Sequence, residues 1–418
     1  MKITVLSGSP KGEDSVTLQY VRYLQKSFPD HDYRVFHVAQ QIRKLERDAA
    51  AFRGIMDRVA ESAAVIWAFP LYYCLVCSQY KRFIELIFAR GHEEAFREKY
   101  TLSLSTSVHF FDHTAHNYLH GICDDLSMHY FGGYAAKMYD LMRTRERERF
   151  LKYGGAFLEA AARRAPTSRM FPPLSQSSFV YVPAATRRDL DSTDKKILIL
   201  CDEGREDGNL AKMIQGFRDN FSHPVETIFL TDIDIKGGCL GCCRCGLDNV
   251  CQYHGKDGFI DFYNEKVKGA DIIVMAGEIR DRYLSSRWKQ FFDRSFFNTH
   301  TPTLKDKQIA WIISGPLGQL PNLTEILSAY AQFHGANTAG ITTDEVGDSL
   351  RIDALLRELA RRVVCLAKQG YVQTRDYLGV GGMKIFRDEV WGKLRFVFQA
   401  DHRYYKRHGF YDFPHKDI

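Results

Sequence analysis

Four cysteines, Cys239, Cys242, Cys245 and Cys251, fall in the spacing CxxCxxCx5C within one short segment. Four soft thiolates at that density can satisfy a tetrahedral metal or the four irons of a cubane cluster. Cysteines at intervals of three can present thiolates to three corners of a cubane, and the longer last gap lets the chain wrap to the fourth, so one 4Fe-4S cluster fits. Zinc held by four thiolates is the main rival. Zinc sites also begin with CxxC but usually place their second pair much further along the chain, which favours iron. A third reading leaves the thiols without metal, as a redox-active or structural group. Cys243 is read as an outward-facing spare, and His254 and Asp257 as groups behind the ligands or as solvated side chains. The segment predicts a chain that handles electrons.

A second group of candidates follows the first strand pattern, where Ser7-Gly-Ser9-Pro-Lys11-Gly-Glu-Asp-Ser15-Val16-Thr17 offers hydroxyls and a lysine at the start of a helix. The unpaired amides and positive dipole end of such a helix favour a phosphate. The plainer reading is a serine-capped helix start. Weaker candidates have plainer readings too. Cys74 and Cys77 form a CxxC without a second pair and read as buried thiols. His109, His113, His116 and His120 recur at helical spacing and suggest proton delivery or metal, with packed or surface histidines preferred. Gly379 to Gly382 lacks a preceding strand and is read as a turn. Lys289, Arg282 and Arg287 read as solvated charge. The segment from Phe398 to Tyr411 is too aromatic for a free tail and is expected to pack across a seam or cover a cofactor.

These residues must be positioned by a repeated framework. Lys2-Ile-Thr-Val-Leu-Ser and Lys196-Ile-Leu-Ile-Leu-Cys are both short buried-strand patterns running into a polar loop and an amphipathic helix. The stretch from Ala64 to Glu85 then matches that from Asp271 to Asp293, with Lys81 against Lys289. Between these two matches the second copy is 14 residues longer, and the cysteine segment accounts for nearly all of that. Strand patterns around Thr4, Val35, Val65 and Leu102, and around Ile199, Thr227, Ile273 and Ile309, alternate with helical ones. The fold class is therefore α/β, with two tandem doubly wound parallel-sheet domains and a C-terminal aromatic and basic extension. The expected boundaries are 1–165, a linker 166–194 rich in Pro, Ser and Thr, 195–375, and the extension 376–418. The loop after the first strand of the second copy carries Asp202, Glu203, Glu206 and Asp207 in place of serines, and like charge there argues against a phosphate.

Composition narrows the classes. The 418 residues are 45% hydrophobic and 26% charged, which describes an ordinary globular chain. Ten cysteines, half of them clustered, do not resemble a secreted disulfide framework and suggest reduced thiols and metal. A net charge of +6 is modest, and the run Arg143 to Arg149 alternates in sign as a solvated face does, so nucleic acid is not indicated. The chain opens directly on a strand pattern and has no apolar run long enough to span a bilayer, so a cytoplasmic location without membrane contact is expected.

The motifs GSPKGxxSVT, Phe69-Pro70-Leu71-Tyr72-Tyr73 with Ser78-Gln-Tyr-Lys81-Arg-Phe83, and Ser105-Thr106-Ser107 resemble the NAD(P)H-dependent FMN reductase group of flavodoxin-like proteins. The compact cysteine motif is similar to its iron-sulfur flavoprotein branch. The resemblance implies that Ser9, Lys11, Ser15, Val16 and Thr17 hold an FMN phosphate. It also implies that Pro70, Leu71, Tyr72 and Tyr73 flank the isoalloxazine ring, and that Ser105, Thr106 and Ser107 complete the pocket. Members commonly carry flavin loops and cysteines in one domain, whereas here they are divided between two copies. The expectation is an FMN- and 4Fe-4S-dependent oxidoreductase, with a nicotinamide cofactor or a ferredoxin as electron partner and a homo-oligomer as its assembly. No side chain is assigned as acid or nucleophile. The alternative is a non-enzymatic binding or regulatory scaffold with a structural zinc site of four cysteines.

Overall fold

A computed structural model describes residues 1–175, 177–184, 188–202 and 208–412. The chain divides into two compact units, one of residues 1–174 with Gly238–Gly241, the other of 175–237 with 242–418.

The first unit runs β1 (Lys2–Ser7), α1 (Val16–Ser27), β2 (Asp32–Phe36), α2 (Ile42–Arg47), α3 (Ala49–Glu61), β3 (Ala64–Pro70), α4 (Ser78–Ala89), β4 (Tyr100–Ser107), α5 (Asp112–Asp125), β5 (His129–Lys137) and α6 (Thr144–Arg163). All strand pairs are parallel, in the order β2-β1-β3-β4-β5. That order is flavodoxin-like, and its switch point lies between β1 and β3. The central strands are buried along almost their whole length, as a sheet covered on both faces requires. Ile3, Val5, Ile66 and Leu102 pack against Leu18 and Val21 of α1 and Phe150 and Phe157 of α6.

The second unit runs β6 (Ile197–Cys201), α7 (Asn209–Arg218), β7 (Glu226–Phe229), α8 (Phe259–Phe262), β8 (Ile272–Arg280), β9 (Tyr283–Leu284), α9 (Ser286–Ser295), β10 (Gln308–Ser314), α10 (Pro321–Phe333), β11 (Asn337–Thr343), α11 (Ser349–Lys368), α12 (Tyr377–Trp391) and α13 (Gln399–Arg407). Its parallel order is β7-β6-β8-β10-β11, the same path as in the first unit, with β9 turning back antiparallel on β8.

Two local features repeat at the aligned positions. Tyr72 and Leu75 exchange backbone hydrogen bonds of 2.8 and 3.0 Å around Tyr73 and Cys74, whose φ angles are 38° and 62°. In the second unit Arg280 pairs with Tyr283 around Asp281 and Arg282, at φ 47° and 63°. Two consecutive non-glycine residues at positive φ are strained, so finding the same turn twice supports the duplication read from sequence. The second feature is a buried i,i+4 ion pair, Lys81 with Glu85 at 3.1 Å on α4 and Lys289 with Asp293 on α9.

Segments expected to be loose are packed. Met170 and Phe171 donate backbone N–H groups to Asp124 Oδ2 at 3.0 and 2.8 Å. Tyr181 is fully buried in the core of the second unit, and its hydroxyl bonds Asp353. Gly379 to Gly382, expected to form a turn, lies inside α12. A side chain at Gly379 would collide with Gln332 of α10, so that glycine serves close helix packing. No helix among the described residues is long and apolar enough to cross a membrane.

Candidate functional site

The loop after β1 is built by close packing of its first residues. Gly8 donates its N–H to Ala68 O at 2.7 Å, while the Tyr80 hydroxyl bonds Leu6 O at 2.7 Å and the Cys77 thiol bonds Gly8 O at 3.1 Å. The Tyr80 ring leaves no room for a side chain at Gly8. Ser9, Ser15 and Thr17 are buried, and Lys11 is exposed. Lys11 N–H donates to Ser9 Oγ at 3.3 Å, and Thr17 Oγ1 meets Thr106 Oγ1 at 2.6 Å. Ser15 stands at the N-cap of α1 but makes no side-chain cap bond. The plainer reading of a serine-capped helix start is thus not realised, and the first amides of α1 have no side-chain cap at Ser15.

The loops after β3 and β4 adjoin it. Leu71 N–H bonds Thr106 O at 3.2 Å. Pro70, Leu71, Tyr72 and Tyr73 are all half-buried, and the last three lead into the strained Tyr73-Cys74 turn. Ser105 faces inward to His116 Nε2 at 2.8 Å, and His116 Nδ1 meets Ser103 Oγ at 2.6 Å. Burial pushes the His116 pKa down to about 4, so its ring is neutral near pH 7. Ser107 accepts from His109 N–H at 2.9 Å, and His109 Nδ1 meets Asp112 at 2.6 Å. His120 stacks on Tyr130 at 4.0 Å. His113 stacks on Phe111 at 5.6 Å, and among the described residues these histidines form no group that could hold a metal ion.

The cysteine segment starts on the first unit and ends on the second. Gly238–Gly241 is part of the first unit, where Gln79 Nε2 donates to Cys239 O at 3.0 Å. Gly241 has φ +63°, and a side chain there would overlap the Tyr72 hydroxyl and press on Lys11. Only glycine suits that backbone and that approach. In the second unit Arg294 of α9 clamps the stem of the segment. Its guanidinium donates to Gly237 O at 2.9 Å and, bidentately, to Asp257 at 2.8 and 2.9 Å, and it lies 4.1 Å from the Tyr253 ring centre. Burial raises the Asp257 carboxyl, but Arg294 outweighs it and holds the group below its ordinary range.

Asn249 Nδ2 donates to Phe297 O at 3.3 Å and Thr299 Oγ1 at 3.1 Å. Cys245 is buried and donates its thiol to Phe296 O at 3.6 Å. Its pKa is pushed up to about 12, first by burial and then by Cys251, Cys243 and Cys242, so those thiols lie within electrostatic reach of it. Cys239, Cys243 and Cys251 are half-buried and Cys242 is exposed; Cys243 sits at φ 55°. Among the described residues no three side chains of His, Cys, Asp or Glu converge on one ion position. The donor set matches a thiolate metal site in kind. Asp257 is a structural partner of the loop, while His254 is exposed.

Residues 1–139 match the family model for NADPH-dependent FMN reductase. That match lies within the first unit. No curated protein matches the chain closely enough to count as a relative. Solved structures similar to parts of it include an NADH:FMN oxidoreductase in apo form, at 17% identity over 38% of this chain and 89% of that one, TM-score 0.33. FerB, an NAD(P)H:acceptor oxidoreductase from Paracoccus denitrificans, is 17% identical over 39% of this chain and 97% of its own, TM-score 0.32. The Trp repressor binding protein from Bacillus subtilis is 20% identical over 40% and 96%, TM-score 0.28.

The FMN reductase match ends before the second unit, whose corresponding loops differ in chemistry. Residues 203–207, with the carboxylates Glu203, Glu206 and Asp207, lie outside the described residues. Among the described residues of the second unit, the buried carboxylate of Asp344, just after β11, is held by Ser314 Oγ at 2.7 Å, Gly315 N–H at 2.8 Å and Asn209 Nδ2 at 2.9 Å. Donors at these strand ends are thus already engaged by an internal anion. Gln79, Asn249, Arg294 and Thr299 were not singled out by sequence. Gln79 lies inside a quoted motif and Arg294 just beyond a matched stretch, but only tertiary packing shows which backbone they hold.

Proposed function

We propose that the chain is an FMN-dependent oxidoreductase in which the first unit holds one FMN and the cysteine segment holds one 4Fe-4S cluster. The packing of Gly238–Gly241 against Tyr72, Gln79 and Lys11 carries this reading, because it seats the start of the cysteine segment on the loops that would bind the flavin.

Ser9, Ser15, Thr17 and the amides at the start of α1 would bind the flavin phosphate, with Lys11 supplying positive charge. The turn at Tyr72 and Tyr73 would orient the ring system, and its paired backbone hydrogen bonds and buried neighbours resist displacement. Thr106 ties that wall to α1 through Thr17. Neutral His116 keeps Ser103 and Ser105 in place behind the wall and adds no charge there. Cys239, Cys242, Cys245 and Cys251 would hold the cluster, and Arg294 with Asp257 keeps the stem of that segment closed.

A flavin supplies exchange between paired and single electrons, and a cluster passes electrons singly. A nicotinamide is the donor the FMN reductase match favours; a ferredoxin meeting the cysteine segment is the other partner. A reducing cytoplasm suits free thiols and such a cluster.

The test is the colour and metal content of anaerobically purified protein. Flavin bands at about 375 and about 450 nm over a broad iron-sulfur shoulder support the proposal. A colourless preparation loaded with zinc would sink it in favour of a stiffened scaffold.

A further inference from the structure

The C-terminal extension is fastened beside the cysteine segment by contacts of its own. Asp401 on α13 is fully buried. It accepts from the Thr299 hydroxyl, from His300 N–H at 3.1 Å, from His300 Nδ1 at 2.7 Å and from Thr301 Oγ1 at 3.1 Å. The His300 ring stacks on Phe386 of α12 at 3.9 Å and meets Phe398 edge-on at 4.7 Å, while Tyr405 donates to His300 O at 3.1 Å. A carboxylate so fully bonded fixes α12 and α13 onto residues 299–301, since releasing it would strand several buried donors.

The same short stretch holds the cysteine segment. Thr299, at φ 55°, donates to Asp401 and accepts from Asn249, so one hydroxyl joins the extension to the segment. Phe296, whose carbonyl receives the Cys245 thiol, has its ring against both His300 and Phe398. Direct contact follows further along. Arg403 Nη2 donates to Leu247 O at 2.6 Å, and the carbonyl of Val397 lies so near Gly246 that any side chain there would strike it.

We propose that the C-terminal extension is a cover for the cysteine segment, with Asp401 and Arg403 as positioning residues that keep the Cys245 thiol out of solvent. The cover is a property of the folded chain and does not need a metal. Its purpose rests on the reading that these thiols are ligands, because a cluster gains lifetime when water and oxygen are kept from its buried corner.

The experiment labels the metal-free, reduced full-length chain with N-ethylmaleimide at fixed pH and follows each cysteine by peptide mass spectrometry. Cys365 on α11 is exposed and serves as the internal standard. In the wild type Cys245 is expected to react far more slowly than Cys365. Arg403→Ala is expected to raise the Cys245 rate about tenfold and Asp401→Ala about a hundredfold, through local opening. Arg403→Lys should restore most of the protection. Should Asp401→Ala fail to fold, Arg403→Ala on the exposed face of α13 still decides the matter.

An unchanged Cys245 rate in Arg403→Ala, with Cys365 reacting normally, overturns the cover. In iron-loaded protein the same variant should bleach faster in air at the cluster shoulder. If no preparation takes up iron while Cys245 still answers to Arg403→Ala, the cluster is lost and the cover stands.

Discussion

Gln79 donates from Nε2 to the carbonyl oxygen of Cys239 at 3.0 Å, which fastens the first residue of the CxxCxxCx5C segment to the second residue of α4. That helix follows directly on the Tyr72 turn. A sequence separation of 160 residues is thereby closed within the first compact unit. The start of the cysteine segment and the Tyr72 turn belong to one packed body.

The seat at Gly241 is sterically tight and therefore easy to disturb. Gly241→Ala must leave φ +63° or push Tyr72 aside, and is expected to destabilise the segment by about 1–3 kcal/mol. The measurement is maleimide labelling of Cys239, which should accelerate, together with a lower iron content after anaerobic loading. Gln79→Ala should do the same more weakly.

Thr17 and Thr106 share one buried hydrogen bond, yet only Thr17 lies at the start of α1. Thr17→Val should weaken FMN binding by about tenfold, as loss of one hydrogen bond to a charged ligand implies. Thr106→Val breaks the same pair and should weaken it less. Titration of FMN fluorescence compares them; equal losses would show that the pair acts only as packing.

The buried pair on α9 should matter for stability as a pair. Asp293→Ala removes the carboxylate that meets the buried Lys289 ammonium and is expected to cost about 3–5 kcal/mol, while replacing both residues by methionine should cost much less. Buried Trp288 and Trp311 report unfolding of the second unit in urea. A single variant no less stable than the double one would refute the argument.

His116 gives the fold a pH dependence of definite sign. Its folded pKa, about 4, lies below the ordinary 6.5, so the folded state prefers the neutral ring. The resulting stability is complete above pH 6.5 and is lost as pH falls through 4, amounting to about 3 kcal/mol. His116→Gln should lack this component. The difference between the two proteins in urea midpoint, followed from pH 7 to 4, isolates it from carboxylates that titrate in the same range.

Much of the framework was legible because buried parallel strands write themselves as apolar runs. The eight patterns from Thr4 to Ile309 all correspond to strands, and Lys81 aligned with Lys289 proved to be the same buried ion pair twice. The outer strands β5 and β11 were not read. His129–Lys137 carries two glycines and is only partly buried, and Asn337–Thr343 is polar, so neither shows a strand period. The Tyr73-Cys74 and Asp281-Arg282 turns were hidden for another reason: neither pair contains the glycine or asparagine that announces positive φ. Gly379 to Gly382 misled in the opposite sense, since those glycines serve helix packing. The hydroxyl loop, the cysteine spacing and the aromatic extension could be located from sequence. That Gln79, Arg294 and Asp401 hold them in place could not, because each acts on backbone far away in the chain.

The most direct test of the central claim is quantitation of FMN, iron and zinc in one anaerobic preparation of the full chain and of Cys242→Ala. The account predicts about one FMN and about four irons per chain, with iron lost and FMN kept in the variant. Two flavins per chain, zinc in place of iron, or neither cofactor would contradict it.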